Sequence, residues 1–304
     1  MDKILTLLAP YDKGVELLPY HLRGPARLVD ELDKAGAEEF RLRIGQVPTL
    51  GLPEGERPFH SATVTQREIT SVLEIASSAS IHTVGDSLKS GYITAPGGLR
   101  IGLGGQAIVQ EGQMTGFSHV SSLCIRLTKE IKGIAEPILP KIKERGKLHS
   151  TLILSPPGGG KTTLLRDLIR LISDGGRRVS VADERGEFAG MREGQVQMDV
   201  GSRTDVLAGA PKDQAILALL RTQNPQVLAV DEITAPQDAN ALEQASNCGV
   251  ALLATAHGHD LEDILQKPLY RSMVQKRLFS RLVLIDRSTS GRSYAVKELG
   301  DELC

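Results

Sequence analysis

The 304-residue sequence contains no tryptophan, only five phenylalanines and five tyrosines, and three cysteines. With so few aromatic rings the core must be aliphatic, and the N-terminal half offers no aromatic platform for stacking nucleic-acid bases. The cysteines, Cys124, Cys248 and Cys304, are too widely spaced for a disulfide framework or a zinc pattern, which favours a reducing compartment. The formal net charge of −1 excludes a large overall field for holding nucleic acid or anionic lipid.

Long apolar runs are also missing. No segment approaches the ~18 consecutive apolar residues of a membrane-spanning helix. The first residues, MDKILTLLAPYDKGVELL, include a short apolar run but carry charges throughout, so we expect no signal peptide. We therefore expect a cytoplasmic protein that does not insert into a membrane and reaches one only through partner proteins.

The second half of the chain alternates short apolar runs with helical patterns. The runs lie at 151–154, 178–182, 227–230, 250–255 and 281–285. Continuous apolar runs are typical of strands covered on both faces, and their alternation with helices predicts an α/β domain with a mainly parallel sheet. We place this domain at 149–304.

The first half has a different pattern, in which apolar and polar residues alternate as in half-buried strands. These stretches lie at 38–45, 91–109 and 121–131, with helical patterns at 25–35 and 66–76. The sequence therefore predicts a smaller α+β N-terminal domain at 1–135. Prolines and basic residues mark 136–148 as a linker.

One stretch, ILSPPGGGKTTLLRDL at 153–168, resembles a phosphate-binding loop between a strand and a helix. The loop pattern is G-x-x-x-x-G-K-[ST], and Gly160, Lys161 and Thr162 match it, whereas Ser155 stands at the first glycine position. The alternative is a glycine-rich turn that binds nothing. The setting, after an apolar run and before an amphipathic helix, favours phosphate binding.

The residue types of this loop suit a polyphosphate. Pro156 and Pro157 stiffen the loop, and the glycines let main-chain amides approach an anion closely. Lys161 would balance the charge of the β- and γ-phosphates, and Thr162 would bind Mg²⁺. The residues that keep amides for phosphate binding are Gly158, Gly159, Gly160, Lys161, Thr162 and Thr163.

Polar residues follow three other apolar runs, where an open α/β sheet binds its ligands. In VLAVDEI, Asp231 is expected to hold Mg²⁺ and Glu232 to act as the base for an attacking water, as in a Walker B motif. Glu187 in SVADERGEF is a further candidate acid, and an exposed loop acid is its alternative explanation. His257 in LLATAHGHD is a candidate contact to the γ-phosphate.

The order of these motifs resembles that in ATPases of the type II/type IV secretion superfamily. ADERGEF is similar to the Asp box of these enzymes, ALLRTQNPQVLAVDEI to their arginine helix and Walker B motif, and ATAHG to their His box. More narrowly, GGLRIGLGGQAIV, IRLTKEIKG, DVGSRTDVLAGAPK and VDEITAPQDANAL resemble the stage III sporulation protein AA family. The resemblance covers about 38–286.

The resemblance implies a RecA-like P-loop ATPase that uses ATP and Mg²⁺ and forms a hexameric ring. It implies a place in the mother-cell cytoplasm and a membrane-embedded channel or secretion-complex subunit as partner, active during endospore formation. In the superfamily each nucleotide lies between two subunits, and arginines from the N-terminal domain complete its binding site. The candidates here are Arg100 and Arg126, with Arg41 and Arg43 behind them. Arg221, on a helix that leads into the Walker B strand, is expected near the nucleotide.

Two other functions stay open at this point. A nucleic-acid-binding P-loop ATPase is suggested by the basic KIKERGKLH and the glycine-rich GGLRIGLGG, but the neutral net charge argues against stable nucleic-acid binding. A protein that binds nucleotide and turns it over slowly, as a switch or scaffold, would carry the same motifs. No residue distinguishes ATP from GTP.

Overall fold

Two compact units make up the chain. The computed structural model describes residues 2–77, 89, 91–127, 130–186, 188–192, 194–288 and 291–299. The N-terminal unit comprises Met1–Glu130 with Gly190–Gln197, and the C-terminal unit comprises Ile131–Ala189 with Met198–Cys304. The segment Gly190–Gln197 therefore belongs to the N-terminal unit although it lies far along the chain. Nothing in the sequence pattern indicates that this segment belongs to the N-terminal unit.

The N-terminal unit combines helices with an antiparallel sheet. Its described helices are α1 (Asp2–Glu16), α2 (Tyr20–Arg27), α3 (Glu31–Gly36) and α4 (Gln66–Ser77). Its described strands are β1 (Glu39–Arg43), β2 (Thr49–Leu52), β3 (Gly55–Pro58), β4 (Tyr92–Ala95), β5 (Leu99–Gln110) and β6 (Gln113–Arg126). The strands pair in the order β3-β2-β1-β6-β5-β4, and each of these pairs is antiparallel.

The register of this sheet follows from its alternating pattern. Phe40 and Leu42 of β1 are fully buried, while the residues between and beside them are half-exposed. Their partners on β6 are Ile125 and Leu123, which are buried in the same core. Because a slip of one residue would turn this apolar set toward solvent, the pattern fixes the pairing.

The C-terminal unit alternates strands and helices. Its described helices are α5 (Lys161–Asp174), α6 (Lys212–Thr222), α7 (Pro236–Asn247), α8 (Leu261–Gln266) and α9 (Pro268–Gln275). Its described strands are β7 (Lys143–Glu144), β8 (Lys147–Leu148), β9 (Thr151–Ser155), β10 (Val179–Asp183), β11 (Thr204–Ala208), β12 (Val227–Glu232), β13 (Ala251–His257), β14 (Arg281–Ser288) and β15 (Gly291–Glu298). Strands β9 to β15 form one sheet in the order β11-β10-β12-β13-β9-β14-β15. All pairs in this order are parallel except β14 with β15.

Both faces of this sheet are covered by helices. On one face, Leu164 and Leu168 of α5 pack in the same cluster as Ile153 of β9. On the other face, Ile216 of α6 and Leu242 of α7 pack in a second cluster. A strand between two apolar layers must be apolar at every position, which explains the continuous runs in the sequence. The prediction of an α/β fold is confirmed.

The segment 136–148 is not an extended linker. Ile138, Ile142 and Leu148 are buried in the core of the C-terminal unit, and β7 and β8 form a two-stranded ribbon. Ile138 and Ile142 are four residues apart, a spacing that places both side chains on one face of a helical turn. The apolar spacing was not recognised in the sequence because prolines and basic residues of 136–148 surround these positions.

The helices of both units are short. Helix α1 has 15 residues and contains Pro10, and α5 has 14 residues. Among the residues that the structure describes, no helix combines the length and the apolar character needed to cross a membrane.

Candidate functional site

The carboxyl ends of four parallel strands carry the candidate residues. Strand β9 ends at Ser155, β10 at Asp183, β12 at Glu232 and β13 at His257. Since β13 lies between β9 and β12 in the sheet, His257 lies between the loop that follows β9 and the acids that end β12. This edge is where open α/β sheets bind ligands.

The loop after β9 begins with a tight turn. The amide of Gly159 donates to the carbonyl oxygen of Pro156 at 3.1 Å, which closes a four-residue turn. Pro157 occupies the second position of the turn, where its fixed φ is favourable, and Gly158 occupies the third with a φ of 73°. A type II turn needs this left-handed conformation at its third position, so proline followed by glycine suits the loop.

Ser155 takes the place of the first glycine of the loop pattern. It is buried at the end of β9, and its hydroxyl donates to the carbonyl oxygen of Pro156 at 3.0 Å. A Cβ on Gly159 would overlap this hydroxyl. The serine is therefore accommodated because residue 159 has no side chain.

Lys161, the first residue of α5, is only 7% exposed. Its ammonium donates to the carbonyl oxygens of Ser155 at 3.0 Å and Pro156 at 3.2 Å, and lies 2.8 Å from Nδ1 of His257. These three contacts use all three protons of the ammonium group. The lysine side chain is thus folded back onto the loop that carries it.

Burial lowers the pKa of Lys161, because desolvation disfavours the charged form. The carboxylates of Glu232 and Asp231 act in the opposite direction and favour the ammonium. The loop lysine and the two acids of β12 therefore share one electrostatic environment.

His257 connects the loop lysine to the acid at the end of β12. Its Nδ1 accepts from the ammonium of Lys161, so in the neutral imidazole the proton is on Nε2. Nε2 lies 2.9 Å from Oε2 of Glu232 and donates to that carboxylate. The chain from Lys161 through His257 to Glu232 fixes the imidazole tautomer and the carboxylate orientation together.

The two acids of β12 are oriented by an irregularity in the strand. Val230 pairs with Ala254 and Glu232 pairs with Thr255, so Asp231 is an extra residue in the ladder. Such a bulge re-aims the side chains that follow it. One carboxylate oxygen of Asp231 accepts from the buried hydroxyl of Thr255 at 3.1 Å.

Two oxygen donors here fit Mg²⁺. Thr162 presents a hydroxyl in the first turn of α5, and Asp231 has a second carboxylate oxygen beyond the one bonded to Thr255. Mg²⁺ prefers such hard oxygen ligands and commonly takes only one or two of them from the protein. Among the described residues, no group of three or more His, Cys, Asp or Glu side chains is arranged to hold a metal ion.

Lys212 is a site residue that the sequence analysis missed. It is 6% exposed, and its ammonium donates to the carbonyl oxygen of Glu232 and lies 3.6 Å from the carboxylate of Glu184. Lys212 is also the first residue of α6, where the helix dipole disfavours a cation. A lysine that directly follows Pro211 at the start of a helix is a local conflict, and this conflict is the signal that could have marked it.

In the acidic segment that begins at the end of β10, Asp183 has a structural role. Asp183 is buried, and its carboxylate accepts from the amides of Phe188 at 3.1 Å and Ala189 at 2.9 Å. Burial raises the pKa of Asp183, while these amide bonds lower it and the nearby Asp231 raises it. Asp183 therefore anchors the returning loop. Glu187, the predicted candidate of this segment, lies outside the described residues.

Arg221 is not brought to this edge. Helix α6 begins at Lys212, beside Glu232, and at 1.5 Å per residue Arg221 lies about 13 Å further along the axis. Just beyond it, the carbonyl oxygen of Asn224 accepts from Arg178, which precedes β10. Arg221 therefore lies toward the amino end of β12, because a segment that enters a strand meets its amino end, whereas the Walker B acids lie at the carboxyl end.

The candidate trans arginines lie together in the N-terminal unit. Arg100 of β5 and Arg126 of β6 are cross-strand partners, and the Arg100 guanidinium lies 3.6 Å from the ring centre of Tyr92. Behind them, Arg41 pairs with Glu39 and Arg43 with Glu56.

Comparison with known proteins identifies the family. A family model described as "Sporulation stage III, protein AA" matches residues 17–301. The chain belongs to this family. Stage III sporulation protein AA of Bacillus subtilis (strain 168) is 35% identical over 278 residues, which cover 90% of each chain. The narrower resemblance stated from the motifs is confirmed.

Solved structures of an ATPase and of a pilus retraction motor share the fold. The ATPase DotB of Legionella pneumophila has a TM-score of 0.60 at 14% identity, over 94% of this chain and 82% of DotB. The pilus retraction motor PilT, solved with bound ADP, has a TM-score of 0.57 at 14% identity, over 86% of this chain and 78% of PilT. At this identity the likeness concerns the fold alone.

Proposed function

We propose that this member of the family is a Mg²⁺-dependent ATPase with a RecA-like P-loop core. The observation that carries the proposal is the contact chain from Lys161 through His257 to Glu232, which joins the phosphate loop to the acid at the end of β12. A structural role alone does not explain why an ammonium, an imidazole and a carboxylate converge beside main-chain amides at this edge.

In this proposal the loop binds the phosphates. The amides of Gly158 to Thr163 surround the β- and γ-phosphates, and the positive end of α5 adds to the attraction. Lys161 exchanges its bonds with the loop carbonyls and His257 for phosphate oxygens. Thr162 and Asp231 would hold Mg²⁺, and the bound ion would supply neutralisation of the phosphate charge.

Glu232 is the proposed general base. Its carboxylate orients and deprotonates the attacking water, and His257 holds that carboxylate through Nε2. When Lys161 turns to the phosphates, Nδ1 of His257 loses its hydrogen bond from the lysine. Because the same imidazole holds the carboxylate of Glu232, nucleotide binding would be coupled to the orientation of that carboxylate.

The assembly is proposed on the family resemblance. Six copies would form a ring in the mother-cell cytoplasm, and Arg100 or Arg126 would complete the site of a neighbouring copy. The ring would energise a membrane-embedded channel or secretion-like complex during endospore formation. DotB is called an ATPase and PilT a motor with bound ADP, which supports a nucleotide-driven machine of this kind.

Two substitutions test the site. Lys161→Ala should abolish nucleotide binding, since the phosphate charge loses its ammonium partner. Glu232→Gln should keep binding within about threefold but reduce turnover at least a hundredfold, the usual scale for loss of a general base. Binding is measured with a fluorescent ADP analogue and turnover by phosphate release.

The matched control is Glu243→Gln. It removes a carboxylate on α7 that pairs with Lys276, the residue directly after α9. It should leave both quantities unchanged. Parent-like hydrolysis in both site variants would overturn the proposed function. The ring is tested separately by the mass in solution, which should rise toward six copies with a non-hydrolysable triphosphate; an unchanged monomer mass would contradict it.

A further inference from the structure

Strand β15 brings a guanidinium group to the phosphate loop. Strand β14 runs parallel to β9, with Leu284 beside Leu154, so the end of β14 and the start of its antiparallel partner β15 lie at the carboxyl edge of β9. Arg292 is the second residue of β15. A Cβ on Gly160 would lie 3.1 Å from Cζ and 3.2 Å from Nε of Arg292. The guanidinium therefore lies against the last glycine of the loop.

Positive groups lie beside this guanidinium. Gly160 precedes α5, whose N-terminus carries the positive end of the helix dipole, and Lys161 adds an ammonium. The nearby acid on the adjacent strand is Asp286, which pairs with Ser293 in the ladder. The side chain of Arg292 makes no hydrogen bond or ion pair to the described residues. A cation at a helix N-terminus is destabilising, and like charges repel, so a phosphate between these positive groups would stabilise the arrangement.

We propose that Arg292 binds the phosphates of the nucleotide within the same subunit. This inference rests on the proposed function, because it places one more residue in that site. The guanidinium fork matches the geometry of phosphate oxygens and forms charge-assisted hydrogen bonds with them. Arg292 thus differs from the arginines expected to act between subunits, which belong to the N-terminal unit.

A cleft lies beside the loop, and its wall includes neighbours of Arg292 on β15 but not Arg292 itself. It has a volume of about 630 Å³, within the range of small-molecule sites. The loop contributes Pro156 and Gly159 to its wall, and the β14–β15 hairpin contributes Ile285 and Tyr294. A nucleotide with its phosphates on the loop would have the hairpin as a neighbouring wall.

The test compares nucleotides that differ only in phosphate number. Arg292→Ala should weaken binding of ADP and of a non-hydrolysable triphosphate about tenfold, the scale of a hydrogen bond to a charged group. Binding of AMP, measured by displacement of the fluorescent ADP analogue, should change less than twofold. Arg292→Lys should restore part of the loss, because it keeps the charge but not the fork.

Lys297→Ala is the matched control, since it removes one positive charge from the same strand at the opposite end of the sheet, beside Leu282. It should bind all three nucleotides as the parent does. Equal losses for AMP and ADP, an equal loss in Lys297→Ala, or no loss in Arg292→Ala would each overturn this inference while leaving the proposed function intact. A parent chain that binds no nucleotide would overturn the proposed function itself.

Discussion

In the C-terminal unit seven charged residues are at most 9% exposed, whereas no charged residue with described burial in the N-terminal unit is so deeply buried. The N-terminal unit keeps its charges in partly exposed ion pairs, such as Arg43 with Glu56 and Arg57 with Asp33. Both units nevertheless have large aliphatic cores. The buried charged residues are Lys161, Arg166, Asp167, Asp183, Lys212, Asp238 and Arg281.

This difference shows that the desolvation cost of buried charges is concentrated in the unit that carries the candidate site. A buried charge loses its hydration and is tolerated only when it is paired or hydrogen-bonded. Lys161 and Lys212 lie in the candidate site, and Asp183 and Arg166 hold the loop beside it through main-chain bonds to residues 188 and 189. The N-terminal unit has no comparable polar centre among its described residues, so its stability rests mainly on apolar packing.

The comparison predicts its largest effect for removal of a buried carboxylate. Asp167 of α5 accepts from the amide of Ala135 at 2.8 Å and pairs with Arg170 at 2.6 Å. Asp167→Ala leaves the amide without its partner and leaves the guanidinium only its 3.9 Å contact with Asp174, which should lower the free energy of unfolding by about 3 kcal/mol. Urea denaturation of the full chain, followed by circular dichroism, measures the loss.

The matched variant in the other unit is Asp33→Ala, which breaks the exposed pair with Arg57. Its effect should stay below about 1 kcal/mol, as is usual for surface ion pairs. Similar losses in the two variants would show that the contrast in burial carries no energetic difference.

A second prediction concerns the imidazole at the centre of the site. His257→Ala removes the group between Lys161 and Glu232, so the carboxylate loses its fixed orientation. Turnover should fall about ten- to a hundredfold, less than for loss of the base itself, while ADP affinity stays within about threefold. His119→Ala, at an exposed position of β6, is the control and should leave turnover unchanged. A loss of ADP affinity as large as the loss of turnover would instead make His257 a ligand of the bound nucleotide.

The parts of this fold that could be predicted depend on contacts near in sequence or on burial from both sides. Strands β9, β10, β12, β13 and β14 were predicted because each is apolar nearly throughout, and the structure extends them by only a few residues. The loop pattern is equally local, since one turn and one helix start define it.

Edge strands and contacts between distant residues could not be predicted in this way. Strands β11 and β15 lie at the two edges of the sheet, where half-exposed positions dilute the apolar signal. Lys212 contacts Glu232, and Arg292 lies beside Gly160, through the packing of their elements, which no local spacing encodes. The position of Arg221 near the amino end of β12 follows from the direction of a helix that precedes a strand.

The smallest effect is expected for an ion pair of the N-terminal unit. The two terminal guanidinium nitrogens of Arg43 donate to the carboxylate of Glu56, at 2.7 and 2.8 Å. Together with the hydroxyl of Thr49, they lower the pKa of Glu56 from 4.5 to about 2. Since the folded-state pKa is the lower one, the stabilisation is complete above pH 4.5 and is lost as the pH falls toward 2. Glu56 is more than a third exposed, so Glu56→Gln should lower the free energy of unfolding by less than about 1 kcal/mol at neutral pH. Urea denaturation at several pH values should show this difference shrinking below pH 4.5 and with added salt. A difference of several kcal/mol at neutral pH that is lost in acid would mean that this unit, too, depends on a charged centre.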